Sequence, residues 1–241
     1  AAHLAEIETI ANSTAKPTFA NTIVALEKAG RLFDRVASPF FTLASAHTND
    51  ALQAIERDIR PKLAAHMSRI TLDPQLFRRI EDLHQRRDKL KLDPEQARVL
   101  ERAHLSFVRA GAKLAPKDKT RIAEIDQRLA GLTTQFSQNI LADEQSWRMV
   151  LDGPKDLAGL PPAVVAAAQR AAEDAGLSGK HVITLARSSV ESFLQFSSRR
   201  DLREDAFKAW IKRGENPGKT DNRGIIAEIV TLRAERARLL G

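Results

Sequence analysis

Two Glu-x-x-His pairs, Glu81/His84 and Glu101/His104, are the residues whose types and spacing come nearest to chemistry. Residues three apart on a helix share a face, so each pair could offer one ion a carboxylate and an imidazole. Carboxylate-bridged di-iron bundles use two such pairs plus one Glu from each of two further helices, places for which Glu56, Glu124 and Glu144 can be nominated. The helical register speaks against that site. His104 falls in line with Leu100, Phe107, Gly111 and Leu114, while Glu101 points about a hundred degrees away from Leu100. A partly buried, hydrogen-bonded His104 explains the spacing equally well, and the four-carboxylate arrangement is not visible.

The segment Arg213-Gly214-Glu215-Asn216-Pro217-Gly218-Lys219-Thr220 nearly spells a phosphate-binding loop, but it has three residues between its glycines where four are needed. It also follows an expected helix rather than a strand, so it reads as an interhelical turn. None of the six histidines (His3, His47, His66, His84, His104, His181) is followed by Glu or repeats four residues on, so the zinc-peptidase HExxH is absent. Ser188-Ser189 and Ser197-Ser198 lack the glycines of a nucleophile elbow and read as helix caps. By its own residues the chain has no recognisable active site.

Composition narrows the classes further. Of 241 residues, 43% are hydrophobic, enough for a sizeable core, in one large domain or two modest ones. There are no cysteines, hence no disulfide or thiolate chemistry, which fits a cytoplasmic protein. No apolar run approaches a membrane span, and the start has neither a basic nor an apolar signal region. Opening on Ala rather than Met, that start reads as a cut end. The net charge of +7 invites a nucleic-acid reading, yet the signs alternate along helical faces, as in EDLHQRRDKLKLDPEQARVLER, which describes a solvated surface. With no Tyr and the Phe at helical spacing, there is no stacking platform for bases.

The elements that would carry these residues are mostly helices. Residues 3–11 form the tail of one, and Pro17-Thr18 opens another over 19–36 that Ser38-Pro39 should break. A third runs from Thr48-Asn49-Asp50 to about Ile70, with a kink or restart expected at Pro61. Asp73-Pro74 and Asp93-Pro94 each pair an Asp cap with Pro at the first helical position, starting helices over 75–90 and 95–114. Pro116 introduces the longest helix, 118–143, with Ile122, Ile125, Leu129, Leu132, Phe136 and Ile140 on one face. After Asp143 the texture changes. SWRMVLD (146–152) and HVITL (181–185) read as two strands that pair with each other, since one strand cannot stand alone. A helix from Pro162 to Ala175 packs over them, and helices at 189–197 and 200–213 follow.

The closing stretch, Asp221–Gly241, reads as an amphipathic helix. Ile225, Ile226, Ile229, Val230 and Leu232 gather on one side, and a helix this apolar needs something to lie against. The expected fold is mainly α: a long-helix bundle over 1–145, then a small α+β segment with closing helices over 146–241.

Blocks in order along nearly the whole chain resemble the thimet oligopeptidase family of zinc metallopeptidases. They include PTFANTIVALEKAG (17–30), FFTLASAHTND (40–50), LERAHLSFVRAGAKL (100–114), LTTQFSQNIL (132–141), GKHVITL (179–185), RRDLREDAFKAW (199–210) and DNRGIIAEIVTLRAERARLLG (221–241). The bacterial branch, oligopeptidase A and peptidyl-dipeptidase, is the nearest in pattern. The resemblance implies a largely helical, two-lobed enzyme whose channel admits only short peptides. Its zinc is held by the two histidines of HExxH and a later Glu, with the motif Glu as general base. All of these lie beyond the part matched here, so no position of this chain receives a catalytic, cofactor-binding or metal-binding role.

On that resemblance the chain is expected to be an inactive N-terminal fragment of a zinc oligopeptidase. It would form part of the channel wall, carry no zinc itself, and dock on a missing catalytic domain through its closing helix. Apolar surface left bare on Ile225–Leu240 would then favour dimers. The alternatives are a stand-alone helical binding module using its basic faces on an acidic partner, and, more distantly, the di-iron bundle.

Overall fold

A computed structural model describes all residues, Ala1–Gly241. It is mainly helical, with one two-stranded antiparallel sheet. Two compact units divide it: residues 1–134 with 229–241, and residues 135–228. The sequence texture placed a single change at 145/146. The division falls elsewhere because two long helices, α7 (Pro116–Ser146) and α11 (Arg223–Leu240), each contribute residues to both units.

In the first unit the local signals act as their chemistry dictates. At the start of α5 (Pro74–Gln85), the Asp73 carboxylate accepts from the amides of Gln75 and Leu76, both at 2.8 Å, and Pro74 fills a position that needs no donor. Asp93 and Gln96 form a reciprocal capping box ahead of α6 (Pro94–Ala110). That helix stops at Ala110 rather than 114. Gly111 turns left-handed (φ 102°), and the Ala112 amide closes back on the Phe107 carbonyl at 3.0 Å. The core beneath holds Ile7 and Ile10 of α1 (Ala2–Ala11), Leu76, Ile80 and Leu83 of α5, and Leu100 of α6.

Pro39 does not break its helix, and Pro61 does not restart its own. The helix expected over 19–36 is a π-helical turn (Phe19–Val24) and a short α2 (Ala25–Lys28), ending at left-handed Gly30. The next helix, α3 (Arg31–Ala46), runs straight through Pro39. Pro39 removes one hydrogen bond, to the carbonyl four residues back, but it and Arg35 are both exposed, so water can serve the freed oxygen. Helix α4 (Asp50–Thr71), capped by Asn49 on the Leu52 amide at 2.9 Å, likewise continues through Pro61 without a restart. Pro61 lies near Gly131 of α7, where a Cβ would sit 3.7 Å from the proline ring.

The second unit is built on the hairpin-like pair β1 (Arg148–Leu151) and β2 (His181–Thr184), in register Arg148↔Thr184 to Leu151↔His181. Two strands alone bury too little to persist in water. Helix α8 (Pro162–Asp174) buries Ala168 and Ala172, and α9 (Arg187–Phe196) and α10 (Arg200–Ile211) add Val190, Phe193 and Ala206 to one core with Leu151 and Ile183. Both strands thus lie within the segments 146–152 and 181–185 expected to pair.

The apolar stripe of α11 is split. Leu232 is buried and Ile225 and Ile229 half-buried, while Ile226 and Val230 stay exposed. Within the first unit the helix is tied to α7 by polar contacts: Arg121 grips Glu235 with two hydrogen bonds (2.6 and 2.9 Å), and Arg236 meets Asp126 at 2.9 Å. No helix is long and apolar enough to cross a membrane.

Candidate functional site

Helices α5 and α6 bring three of the four nominated Glu-x-x-His residues together. Glu81 Oε2 lies 2.5 Å from His104 Nε2, and its other oxygen faces Lys113 at 3.4 Å and the Gln85 amide at 3.2 Å. His84 stacks on His104 with centroids 3.8 Å apart and planes 5° from parallel, and Phe77 stacks nearby at 5.8 Å from His104. Burial alone would raise the Glu81 pKa, but the hydrogen bonds from His104, Gln85 and Lys113 outweigh it and hold the carboxyl below its usual range. Burial pushes the His84 imidazole down, and neighbouring His104 and Arg87 push it further.

This arrangement ties α5 to α6 and does not suit a metal. Lone pairs of two stacked imidazoles lie in parallel planes and cannot converge on one ion, and Glu81 is already committed on both oxygens. The remaining nominees sit elsewhere: Glu101 pairs with Arg98 at 2.7 Å, Glu56 with Arg60 at 2.8 Å, Glu124 with Arg121 at 3.0 Å and Glu144 with Arg213 at 2.6 Å. No three His, Asp or Glu side chains converge in metal-holding geometry. The di-iron alternative is therefore overturned by where its own ligands point. The residues present do not fit the zinc that the family resemblance implies either.

The near-miss phosphate loop closes on a side chain of its own unit. Asp143 Oδ2 accepts from the Gly214 amide at 2.7 Å and the Asn216 side-chain amide at 2.8 Å, and Thr220 adds its hydroxyl. Asn222 completes the turn, its amide reaching the Gly214 carbonyl at 2.7 Å and its side chain bonding Asn139 (2.8 Å) and the Phe136 carbonyl (3.1 Å). Burial would raise the Asp143 pKa, but those three donors together depress it. The loop's donors that could have met a phosphate are spent on an internal carboxylate, which explains why it is an interhelical turn.

Two polar clusters escape a sequence reading. Arg79 is buried, and its guanidinium donates to the carbonyls of Ser13 (2.8 Å) and Ala15 (2.9 Å) and to Asn21 Oδ1 (3.1 Å), pinning the segment between α1 and the π-helical turn. A signal existed: Arg79 falls in step with Leu76 and Leu83 on the buried face of α5. His66 Nε2 meets His3 Nδ1 at 3.0 Å while stacking on Phe33, and no spacing rule links α1, α3 and α4. Ser189 Oγ accepts the Thr184 amide at 3.1 Å from inside α9, and Ser197 Oγ accepts the Arg199 amide at 3.2 Å ahead of α10, so both are structural.

No family model matches the chain. It is 40% identical over 237 residues to the dipeptidyl carboxypeptidase of Escherichia coli (strain K12), an alignment covering 98% of this chain and 35% of that protein. It is 30% identical over 228 residues to oligopeptidase A of Haemophilus influenzae, covering 93% of this chain and 33% of the relative. To oligopeptidase A of E. coli it is 28% identical over 239 residues, again 98% of this chain and 35% of the relative. The chain spans about a third of the length of the curated relatives it matches.

Proposed function

We propose, for a chain homologous to dipeptidyl carboxypeptidase and oligopeptidase A of the thimet oligopeptidase family, that it is the N-terminal, non-catalytic portion of a zinc-dependent peptidase. The observation that carries this reading is coverage: 98% of this chain aligns with 35% of a peptidase. The catalytic zinc, its HExxH histidines and the general-base Glu would then belong to the remaining part. In the whole cytoplasmic enzyme this portion forms part of the channel wall, limiting substrates to short peptides, and by itself it is inactive. Identities of 40% and 38% to the two dipeptidyl carboxypeptidases, against 30% and 28% to the oligopeptidases A, favour removal of dipeptides from C-termini over internal cleavage. In isolation, exposed Ile226 and Val230 on α11 would promote dimers.

The test starts with the coding frame beyond Gly241 and continues with the polypeptide it encodes. An HExxH in that frame is expected, together with hydrolysis of short peptides that a zinc chelator abolishes and zinc restores. The 241-residue chain should release no product under the same conditions. A stop codon directly after Gly241, or a longer protein without chelator-sensitive hydrolysis, would overturn the reading and leave a helical binding module.

A further inference from the structure

Helix α3 buries none of its sixteen residues, although its apolar side chains are many. Leu32, Val36 and Leu43 are 59%, 66% and 54% exposed, and on the neighbouring α4 Ile55 and Met67 are about half exposed. Phe33, Val36 and Phe40 from α3 face Ile55, Ile59 and Leu63 from α4 across a groove without a polar side chain in its lining. The spacings, three to four residues on each helix, are those of helix faces meant to be covered. At the rim, the Arg60 guanidinium sits 4.0 Å above the Phe41 ring while it pairs with Glu56. Contiguous apolar surface of this kind is rare on a face that meets only water.

We propose that the α3–α4 groove is the seat of an apolar helix from the remaining part of the same polypeptide. This rests on the reading above, that the chain is a portion of a longer peptidase. Two observations select that occupant. The matched relatives are about three times as long as the aligned segment, so most of their length lies outside the part compared. The groove is also concave. A second copy presenting the same face would oppose one hollow to another, and presenting a different face would build a head-to-tail contact that makes rings or filaments rather than a simple pair. An intramolecular ridge satisfies the groove once, with no concentration dependence.

Hydrogen–deuterium exchange across residues 33–63 tests this, measured on the 241-residue chain at two concentrations and on the longer polypeptide. Exchange is expected to be at least about tenfold slower in the longer polypeptide and unchanged by concentration. Slowing of the short chain only at the higher concentration would assign the groove to a second copy and overturn the proposal. Slowing of the longer chain only when a short peptide is added would assign it to substrate, with the same consequence. Val36→Glu supplies a second measure. Val36 is exposed, so the short chain should keep its unfolding midpoint, whereas the longer one should lose protection across the groove. Peptidase assays on the same preparations separate the two claims. An active enzyme with fast exchange here refutes the docking alone, and an inactive protein with a protected groove refutes the peptidase reading alone.

Discussion

Replacing Asp143 by Ala should unfold the second unit more easily while leaving the first in place. The carboxylate is 6% exposed and gathers three donors from the loop between α10 and α11. Its removal strands the buried Gly214 amide, a loss worth about 1–3 kcal/mol. Asn216 and Thr220 can turn to water, so each adds at most about 0.5–1.5 kcal/mol. The expected total is about 2–6 kcal/mol. Both tryptophans of the chain, Trp147 and Trp210, lie in the second unit, so urea unfolding followed by tryptophan fluorescence reports that unit selectively. Asp143→Asn keeps an acceptor for Gly214 and should cost only about 1 kcal/mol. Acid provides the sign test. The folded pKa of Asp143 is depressed, so its stabilisation is full above the unfolded value and fades as pH falls through the folded one. The wild-type advantage over Asp143→Ala should therefore shrink below about pH 4. An Ala variant within about 0.5 kcal/mol of wild type at pH 7, or a gap that does not narrow in acid, would refute the account of the loop.

Arg79→Ala should cost about 1–3 kcal/mol in the first unit, because it removes charge-assisted hydrogen bonds to the carbonyls of Ser13 and Ala15, and hydrogen exchange should show residues 12–22 opening first. His66 and His84 both have folded pKa values pushed down, chiefly by burial. Their contribution is thus present above about pH 6.5 and is lost as pH falls through the folded values. Far-UV circular dichroism in urea at pH 7.5 and 5.5 should show the decline, and His84→Phe, which keeps a ring over His104, should make it smaller. Gly159→Ala should destabilise the second unit by more than about 2 kcal/mol, since φ is 85° and the new methyl would overlap the Phe196 carbonyl. Gly176→Ala, also left-handed but facing open space, should cost clearly less in the same fluorescence assay.

Much of the architecture is written locally in the chain. Asp73-Pro74, Asp93-Pro94 and Asn49 start helices because a side-chain oxygen within three residues satisfies amides that the helix itself cannot. The strand pair lies within the segments 146–152 and 181–185 that followed from the change of texture after Asp143 and from the rule that one strand needs another. The blocks that resemble oligopeptidases were legible for the same reason, as was the absence of HExxH. Proline misled at Pro39, because breaking a helix depends on whether the freed carbonyl can reach water, and Arg35 can while a core residue could not. Spacing placed Glu81, His84 and His104 on adjacent helices, but only packing decided that the rings stack instead of ligating. Asp143 and Gly214 are 71 positions apart, and no local pattern marks a carboxylate that will be buried against a distant amide. Capping and periodicity act within about four residues and are therefore carried by sequence alone. Which polar groups meet across tens of residues is set by how helices pack, and that was decided only in the folded chain.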